Sequence, residues 1–114
     1  MNDNNDIIKR LYEVIIDRKN NPPEKSYVVS LLKGGIPKIA GKITEEAGEF
    51  VEACGENDRS HAVYEAADLM FHYLVMLGYK DIDPAEVFDE LARRFGLSGI
   101  DEKESRKKKN WEGQ

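Results

Sequence analysis

The sequence predicts an all-α protein, a bundle of four to five helices. Apolar residues recur at helical spacing through most of the 114 residues. Proline, glycine or asparagine separates one apolar stripe from the next, and the alternation typical of strands is missing. The length fits one domain, predicted over residues 1–100, followed by a charged tail over residues 101–114.

The first predicted helix begins after Asp6, which suits the N-cap position, and ends before Pro22, because proline does not continue a helix. Its apolar residues fall at i, i+1, i+4, i+7 and i+8: Ile7, Ile8, Leu11, Val14 and Ile15. A short second helix is predicted from the cap Ser26 to Leu32, and the glycine pair 34–35 ends it.

The third predicted helix is long and runs from Pro37, a residue that suits a first helical turn, to about Glu56. We expect its apolar stripe to face the core: Ile36, Ile39, Ala40, Ile43, Ala47, Phe50, Val51 and Cys54. The last predicted helix begins at Pro84, with Asp83 as the N-cap and Glu86 as a carboxylate in the first turn.

The fourth predicted helix, from about His61 to Leu77, is more apolar than the others. Ten of the twelve residues 66–77 are apolar, whereas a surface helix shows only an apolar stripe. One chain of this size does not cover such a helix on all sides. We therefore expect a homo-oligomer, most simply a homodimer, in which this helix packs against its copy.

Two acidic pairs with i, i+3 spacing lie on the third and fourth predicted helices. Glu46 and Glu49 form the first pair, and Glu65 and Asp68 form the second; residues three apart share one helix face. If these helices pack as an antiparallel hairpin, the four carboxylates converge and must be protonated, pair with lysines or bind a cation. Oxygen ligands favour Mg²⁺, with Mn²⁺ as the alternative ion.

The other interpretation is a solvated acidic face, which is how we interpret Glu52 and Glu56. Asp68 favours the metal site, because an aspartate kept only for solubility is unusual among apolar neighbours. Those neighbours are Ala66, Ala67, Leu69, Met70 and Phe71.

Three further residues near these acids have two interpretations each. Lys38 and Lys42 share the helix sector of Glu46 and Glu49, so they form either ordinary ion pairs or contacts to the phosphates of a bound nucleotide. His72 is either a structural residue of a packed helix or a group that touches the acids.

The acidic motifs belong to a wider pattern along the chain: Arg18-Lys19, Pro23-Glu24-Lys25-Ser26-Tyr27, Gly35, Lys38-Ile39, Lys42-Ile43-Thr44-Glu45-Glu46-Ala47-Gly48-Glu49, Glu65-Ala66-Ala67-Asp68-Leu69-Met70-Phe71-His72 and Leu91-Ala92-Arg93-Arg94. With this pattern the chain resembles the all-α nucleoside triphosphate pyrophosphatases of the MazG type over roughly residues 7–100. Within them it is similar to the phosphoribosyl-ATP pyrophosphatase family, of which the Pro-Glu-x-Ser-Tyr segment and the Ala-Asp-Leu-x-x-His run are typical. Two positions depart from the family pattern: Thr44 replaces an expected glycine, and Val28 an expected threonine.

The resemblance implies Mg²⁺-dependent hydrolysis of phosphoribosyl-ATP to phosphoribosyl-AMP and pyrophosphate, the second step of histidine biosynthesis. The implied metal ligands are Glu46, Glu49, Glu65 and Asp68. Lys38 and Lys42 are implied to hold the leaving pyrophosphate, and Glu45 to orient or deprotonate the attacking water. The family is sometimes fused to a cyclohydrolase domain, and we expect this chain to be the stand-alone form.

Composition limits the expected partners. Acidic residues number 22 against 17 basic ones, a net charge of −5, which argues against duplex nucleic acid. No apolar run approaches the ~18 residues of a membrane span, and the polar residues 1–6 are unlike a signal peptide, so we expect a cytosolic protein. The basic run 106–109 we interpret as part of a solvated tail rather than an RNA-binding element.

Two other functions remain open at this point. A related house-cleaning pyrophosphatase acts on non-standard nucleotides and uses the same acidic motifs. A non-catalytic helical module, whose apolar fourth helix binds a partner protein, requires no divalent cation.

Overall fold

The computed structural model describes Asn4 and residues 6–95, most of which lie in four helices. The helices are α1 Ile7–Asn20, α2 Tyr27–Cys54, α3 Arg59–Tyr79 and α4 Pro84–Arg94. Among the described residues there is no strand, which confirms the predicted all-α class. The predicted tail, residues 101–114, lies outside the described residues.

α2 joins the second and third predicted helices across a break at Gly35. This residue has φ 68° and ψ −163°, a conformation essentially restricted to glycine. A Cβ there would also lie 3.4 Å from the Tyr79 hydroxyl oxygen. We call residues 27–34 the first arm of α2 and residues 36–54 its second arm.

Both arms of α2 lie against α3 but run in opposite directions along it. Tyr27, at the start of the first arm, contacts His72, and Gly35 lies beside Tyr79. The second arm then returns, so that Glu46 lies with Asp68. The second arm and α3 therefore form the antiparallel pair on which the predicted convergence of the acids depends.

One predicted helix cap is present and another differs. The Ser26 hydroxyl oxygen accepts a hydrogen bond from the Val29 backbone N–H at 3.3 Å. Asp6 occupies the N-cap position of α1 but makes no cap hydrogen bond; its carboxylate accepts from Arg10 Nε at 3.0 Å instead. The arginine one turn further along competes successfully for the same oxygen.

The core lies where α1, α2 and α3 meet. α1 approaches α3 closely at Gly78, where a Cβ would lie 2.7 Å from Ile15 Cγ2. Lys19 joins the same helices, because its Nζ donates to the main-chain oxygens of Gly78 and Tyr79 at 2.9 and 3.2 Å and binds Asp81 at 2.9 Å. The largest fully buried side chains are Ile15, Leu31, Ile39, Leu74 and Val75.

Part of the apolar stripe predicted for the third helix is wrong. Ile36, Val51 and Cys54 are exposed. The buried residues of the second arm are Ile39, Glu46 and Ala53, which follow one another at intervals of seven residues. Because α2 packs mainly against α3, only a narrow line of the second arm is covered, and residues at the edges of its apolar sector remain exposed.

α3 is covered unevenly along its length. In its C-terminal half Leu74, Val75 and Leu77 are buried, whereas Val63 and Tyr64 in its first turns are more than 60% exposed. The homo-oligomer that its composition predicts stays a prediction. None of the helices in the described part of the chain has the length and apolar character needed to span a membrane.

The chain divides into two compact units between Pro84 and Ala85. In the second unit, Glu90 of α4 lies 2.8 Å from Arg93 and 2.8 Å from Arg94. Hydrogen bonds from Arg93 and then Arg94 lower the pKa of Glu90 to about 2. These pairs place positive charge in the last turn of α4, where the helix dipole favours it. The domain boundary predicted at residue 100 stays a prediction.

Candidate functional site

The interface between the second arm of α2 and α3 carries charged residues in its interior. Glu46 lies at the centre of the buried line of the second arm, and Glu65 and His72, also seven residues apart, are buried on α3. Glu46 is 5% exposed and Glu65 is 6% exposed. Because these carboxylates occupy the helix faces that pack together, the packing of the two helices itself removes them from water.

The structure brings the four predicted metal ligands together. Glu46, Glu65 and Asp68 each offer a carboxylate oxygen, and the three oxygens lie within 4.8 Å of one another across the interface. Glu49 joins them through Glu46, since Glu45, Glu46 and Glu49 form a second group with the same 4.8 Å limit. We call these five residues the acidic cluster.

Two oxygens of the acidic cluster have no hydrogen-bond partner among the described residues. They are Glu46 Oε2 and Glu65 Oε1, and both are buried, a state that is costly for a charged carboxylate. Burial, followed by the charge of Asp68, raises the pKa of Glu46. The charge of Glu46, followed by burial, raises the pKa of Glu49. The cluster thus carries more negative charge than its neighbours balance.

Of the two predicted phosphate-binding lysines, only Lys42 contacts the cluster. Its Nζ lies 3.5 Å from Glu45 Oε1 and 3.7 Å from Glu46 Oε1. Burial lowers the pKa of Lys42, but Tyr27, Glu45 and Glu46 outweigh that effect, and the pKa is raised overall. Lys38 is exposed, and we find no ion pair for it within residues 6–95. A contact of either lysine to phosphate stays a prediction.

Glu45 lies at the outer edge of the acidic cluster. Its side chain is 55% exposed and is held by Lys42. The carboxylate is therefore open to water, and its predicted role in orienting or deprotonating a water molecule stays a prediction.

His72 contacts the main chain of Asp68 and also makes a contact that the sequence did not reveal. Its Nδ1 lies 2.9 Å from the Asp68 main-chain oxygen, and its Nε2 lies 2.9 Å from the Tyr27 hydroxyl oxygen. Tyr27 was not among the predicted site residues. The available signal was its place in the Ser-Tyr segment of the family pattern.

His61 was missed as well. Its Nδ1 lies 2.8 Å from Glu56 Oε1 and its Nε2 lies 3.2 Å from Glu65 Oε2. The hydrogen bond to Glu56 is the main cause that raises the pKa of His61. These residues, with Glu49 and Glu52, line a cavity of about 180 Å³. The i, i+4 spacing of His61 and Glu65 was the signal in the sequence.

The donor set of the acidic cluster fits a hard divalent cation. Its two groups of ligand atoms consist of carboxylate oxygens alone, which Mg²⁺ and Mn²⁺ accept and which softer metals favour less. The unpartnered oxygens of Glu46 and Glu65 supply the specific evidence, since ordinary surface acids are hydrated.

Comparison with known proteins gives consistent matches over nearly the whole chain. A family model described as phosphoribosyl-ATP pyrophosphohydrolase matches residues 8–95. The phosphoribosyl-ATP pyrophosphatase of Geotalea daltonii is 56% identical over 103 residues, which are 90% of this chain and 97% of that protein. The proteins of the same name from Geobacter sulfurreducens and Neisseria gonorrhoeae are 54% and 46% identical, over 93% and 88% of this chain and 98% and 94% of theirs. The family match includes every residue of the acidic cluster.

Proposed function

We propose that this chain, which belongs to the phosphoribosyl-ATP pyrophosphohydrolase family, hydrolyses phosphoribosyl-ATP to phosphoribosyl-AMP and pyrophosphate in histidine biosynthesis. The chain is a hydrolase of that family. The proposed chemistry rests mainly on one observation. Glu46 and Glu65 each have a buried carboxylate oxygen that lacks a hydrogen-bond partner among the described residues, and both lie beside Asp68.

The proposed cofactor is Mg²⁺, with Mn²⁺ as the alternative ion. Glu46, Glu49, Glu65 and Asp68 would hold it, because they lie together and lack balancing charge. When bound, the cation supplies positive charge that neutralises the triphosphate and the acidic cluster together. This resolves the difficulty that an acidic protein would otherwise repel its anionic substrate.

The side chains at the outer edge of the cluster then have separate roles. Lys42 is held between Glu45 and Glu46 and would bind a phosphate oxygen beside them. Lys38, one turn earlier on the same arm, would bind the leaving pyrophosphate from the exposed side. Glu45 would orient a water molecule and accept its proton while the water oxygen bonds to phosphorus and the bridging P–O bond between the α and β phosphates breaks. A serine or cysteine nucleophile is not required.

The apolar residues exposed on α3 support the proposal that the enzyme is a homo-oligomer. Val63 is 62% exposed, Tyr64 67% and Met70 49%. They lie on the part of α3 that α1 and α2 leave uncovered. A copy of α3 packed against this face would remove them from water. Sedimentation at micromolar concentration tests this, and a monomer at that concentration would contradict it.

Pyrophosphate release from phosphoribosyl-ATP, measured with and without Mg²⁺, tests the proposed function. We expect release only with the cation, and we expect Glu49→Gln and Asp68→Asn to reduce it by orders of magnitude while the helical spectrum is retained. Glu13→Gln, an exposed carboxylate of α1, is the matched control. Wild-type activity in either cluster variant would contradict the ligand assignment. Fast hydrolysis of other nucleoside triphosphates with none of phosphoribosyl-ATP would favour a house-cleaning enzyme.

A further inference from the structure

The contact between Tyr27 and His72 lies next to the acidic cluster in the sequence of α3, one turn beyond Asp68. Tyr27 begins the first arm of α2, and His72 lies one turn beyond Asp68 on α3. The Tyr27 ring also stacks against Phe71, with ring centroids 6.2 Å apart. Four residues of an α-helix rise about 6 Å, so Tyr27 contacts α3 at a residue about 6 Å beyond Asp68 along the helix axis. A polyphosphate that extended from the cluster in that direction would approach Tyr27.

The direction of the Tyr27–His72 hydrogen bond follows from the other ring nitrogen. His72 Nδ1 lies 2.9 Å from the Asp68 main-chain oxygen, and because a carbonyl oxygen only accepts, Nδ1 carries the proton. In the neutral ring Nε2 is then an acceptor, and the Tyr27 hydroxyl donates to it. The phenol oxygen keeps its own accepting capacity for a second partner.

Tyr27 is more exposed than a structural contact requires. It is 52% exposed, whereas His72 is 2% exposed, so the core gains little from the tyrosine ring. Tyr27 also lies near enough to Lys42 to act on the pKa of that lysine. Tyr27 therefore has a half-exposed ring, a hydroxyl fixed by a buried histidine, and a neighbouring lysine that contacts the acidic cluster. This is the arrangement of a binding residue.

The phenol oxygen of Tyr27, as a hydrogen-bond acceptor, can bind only those groups of a nucleotide that donate a hydrogen bond. Phosphate oxygens are acceptors themselves and do not pair with it. The ribose follows the α-phosphate directly, and its hydroxyls are donors. The ribose is therefore the first part of the nucleotide beyond the phosphates that the Tyr27 oxygen can bind.

We propose that Tyr27 is a substrate-binding residue whose phenol oxygen accepts a hydrogen bond from a hydroxyl of the ribose that carries the triphosphate, and that His72 is the positioning residue that holds Tyr27 there. The proposal rests on the proposed function, since it requires the triphosphate to lie along the acidic cluster.

The variant Tyr27→Phe removes the hydroxyl and keeps the ring. We expect the KM for phosphoribosyl-ATP to rise about threefold to tenfold, the effect of one neutral hydrogen bond, with kcat unchanged, because the contact exists before and during reaction. The affinity for Mg²⁺ alone, measured by calorimetry, should not change. Tyr73→Phe, at the residue after His72, is the matched control. A wild-type KM in Tyr27→Phe would overturn the proposal.

Analogues that lack the 2′ or the 3′ hydroxyl of this ribose identify the partner of Tyr27. For one of them the wild-type KM should rise by the same factor as in Tyr27→Phe, and the variant should lose nothing further with that analogue. If the increase in KM caused by Tyr27→Phe multiplies with the increase caused by each of the two analogues, Tyr27 does not bind the ribose.

Nitrogen NMR of the ring tests the positioning role without a substitution at His72. The chain contains two histidines, so His61→Gln assigns the signals. We expect His72 in the form protonated at Nδ1, with an Nε2 shift that changes in Tyr27→Phe. Protonation at Nε2 would overturn the positioning role.

If the wild-type chain releases no pyrophosphate from phosphoribosyl-ATP, the proposed function fails; if it does and Tyr27→Phe has the wild-type KM, only this inference fails.

Discussion

The substitution Glu46→Gln should stabilise the metal-free protein, because it removes a buried charge that its neighbours repel. Oxygens of Glu65 and Asp68 lie within 4.8 Å of one from Glu46. At an effective dielectric constant of about 20, each repulsion is at least about 3.5 kcal/mol, since 4.8 Å is the upper limit of the separation, and the attraction to Lys42 at 3.7 Å is about 4.5 kcal/mol. The variant therefore relieves a net repulsion of at least about 2 to 3 kcal/mol. For a domain of this size, that corresponds to a rise in the unfolding midpoint of roughly 6 to 12 °C.

Thermal unfolding followed by circular dichroism, in EDTA and across a Mg²⁺ titration, measures this effect. Mg²⁺ should stabilise the wild-type protein by mass action and should stabilise Glu46→Gln much less, because a ligand is missing. Pyrophosphate release should fall by orders of magnitude in the same variant. The control Glu13→Gln should unfold within about 1 °C of wild type, since an exposed carboxylate contributes little.

Two results would refute this reasoning separately. If Glu46→Gln unfolds below wild type in EDTA, the repulsion of Glu46 by Glu65 and Asp68 does not outweigh its attraction to Lys42. If Mg²⁺ stabilises the variant as much as the wild-type protein, Glu46 is not a metal ligand.

The remaining predictions concern pH and two structural residues. Because the pKa of Glu46 is raised in the folded state, folding favours the protonated form of this carboxyl. The metal-free protein should therefore become more stable to thermal unfolding as the pH falls from 7 towards 5, and Glu46→Gln should show a weaker dependence on pH. Mg²⁺ affinity, measured by calorimetry, should fall over the same pH range; an affinity independent of pH would argue against ligation by Glu46. Gly35→Ala should cost about 1 to 3 kcal/mol in urea unfolding, because φ is 68° at this residue, and a cost near zero would mean that the break relaxes. Lys19→Met should cost about 1.5 to 3 kcal/mol through its lost charge-assisted hydrogen bonds to Gly78 and Asp81, with kcat unchanged; reduced kcat in folded protein would place Lys19 in the site.

The acidic cluster was predictable because it depends on local geometry. The i, i+3 spacing of Glu46 with Glu49, and of Glu65 with Asp68, puts each pair on one helix face wherever the helices lie. The apolar neighbours of Asp68 then indicate that its face is inside. Only the antiparallel packing of two consecutive helices had to be assumed, and the short connection at residues 55–58 favours it.

Burial along the second arm of α2 was harder to predict, because it depends on the width of the contact with α3. The apolar residues Val51 and Cys54 lie at the edge of the stripe and are exposed, whereas the charged Glu46 is buried. A ranking by hydrophobicity places these three residues in the opposite order. The position of the neighbouring helix, which the sequence does not state, determines which line is covered.

The contact of Tyr27 with His72 was beyond sequence reasoning for a different reason. The glycine pair 34–35 correctly predicted that a helix ends there, but glycine permits many chain directions. The observed direction, which returns the chain along α3, follows from the packing of both arms and not from the residues at the turn.

The turn at Gly35 makes the spacing inside the site depend on the number of residues in the first arm. In an unbroken helix Tyr27 would lie about 22 Å from Lys42 along the axis. Since the first arm contains only residues 27–34, one inserted or deleted residue would rotate the tyrosine by about 100° and move it off His72. Among active members of this enzyme family, insertions and deletions should therefore be confined to the connection before Ser26, and the first arm should keep a constant number of residues.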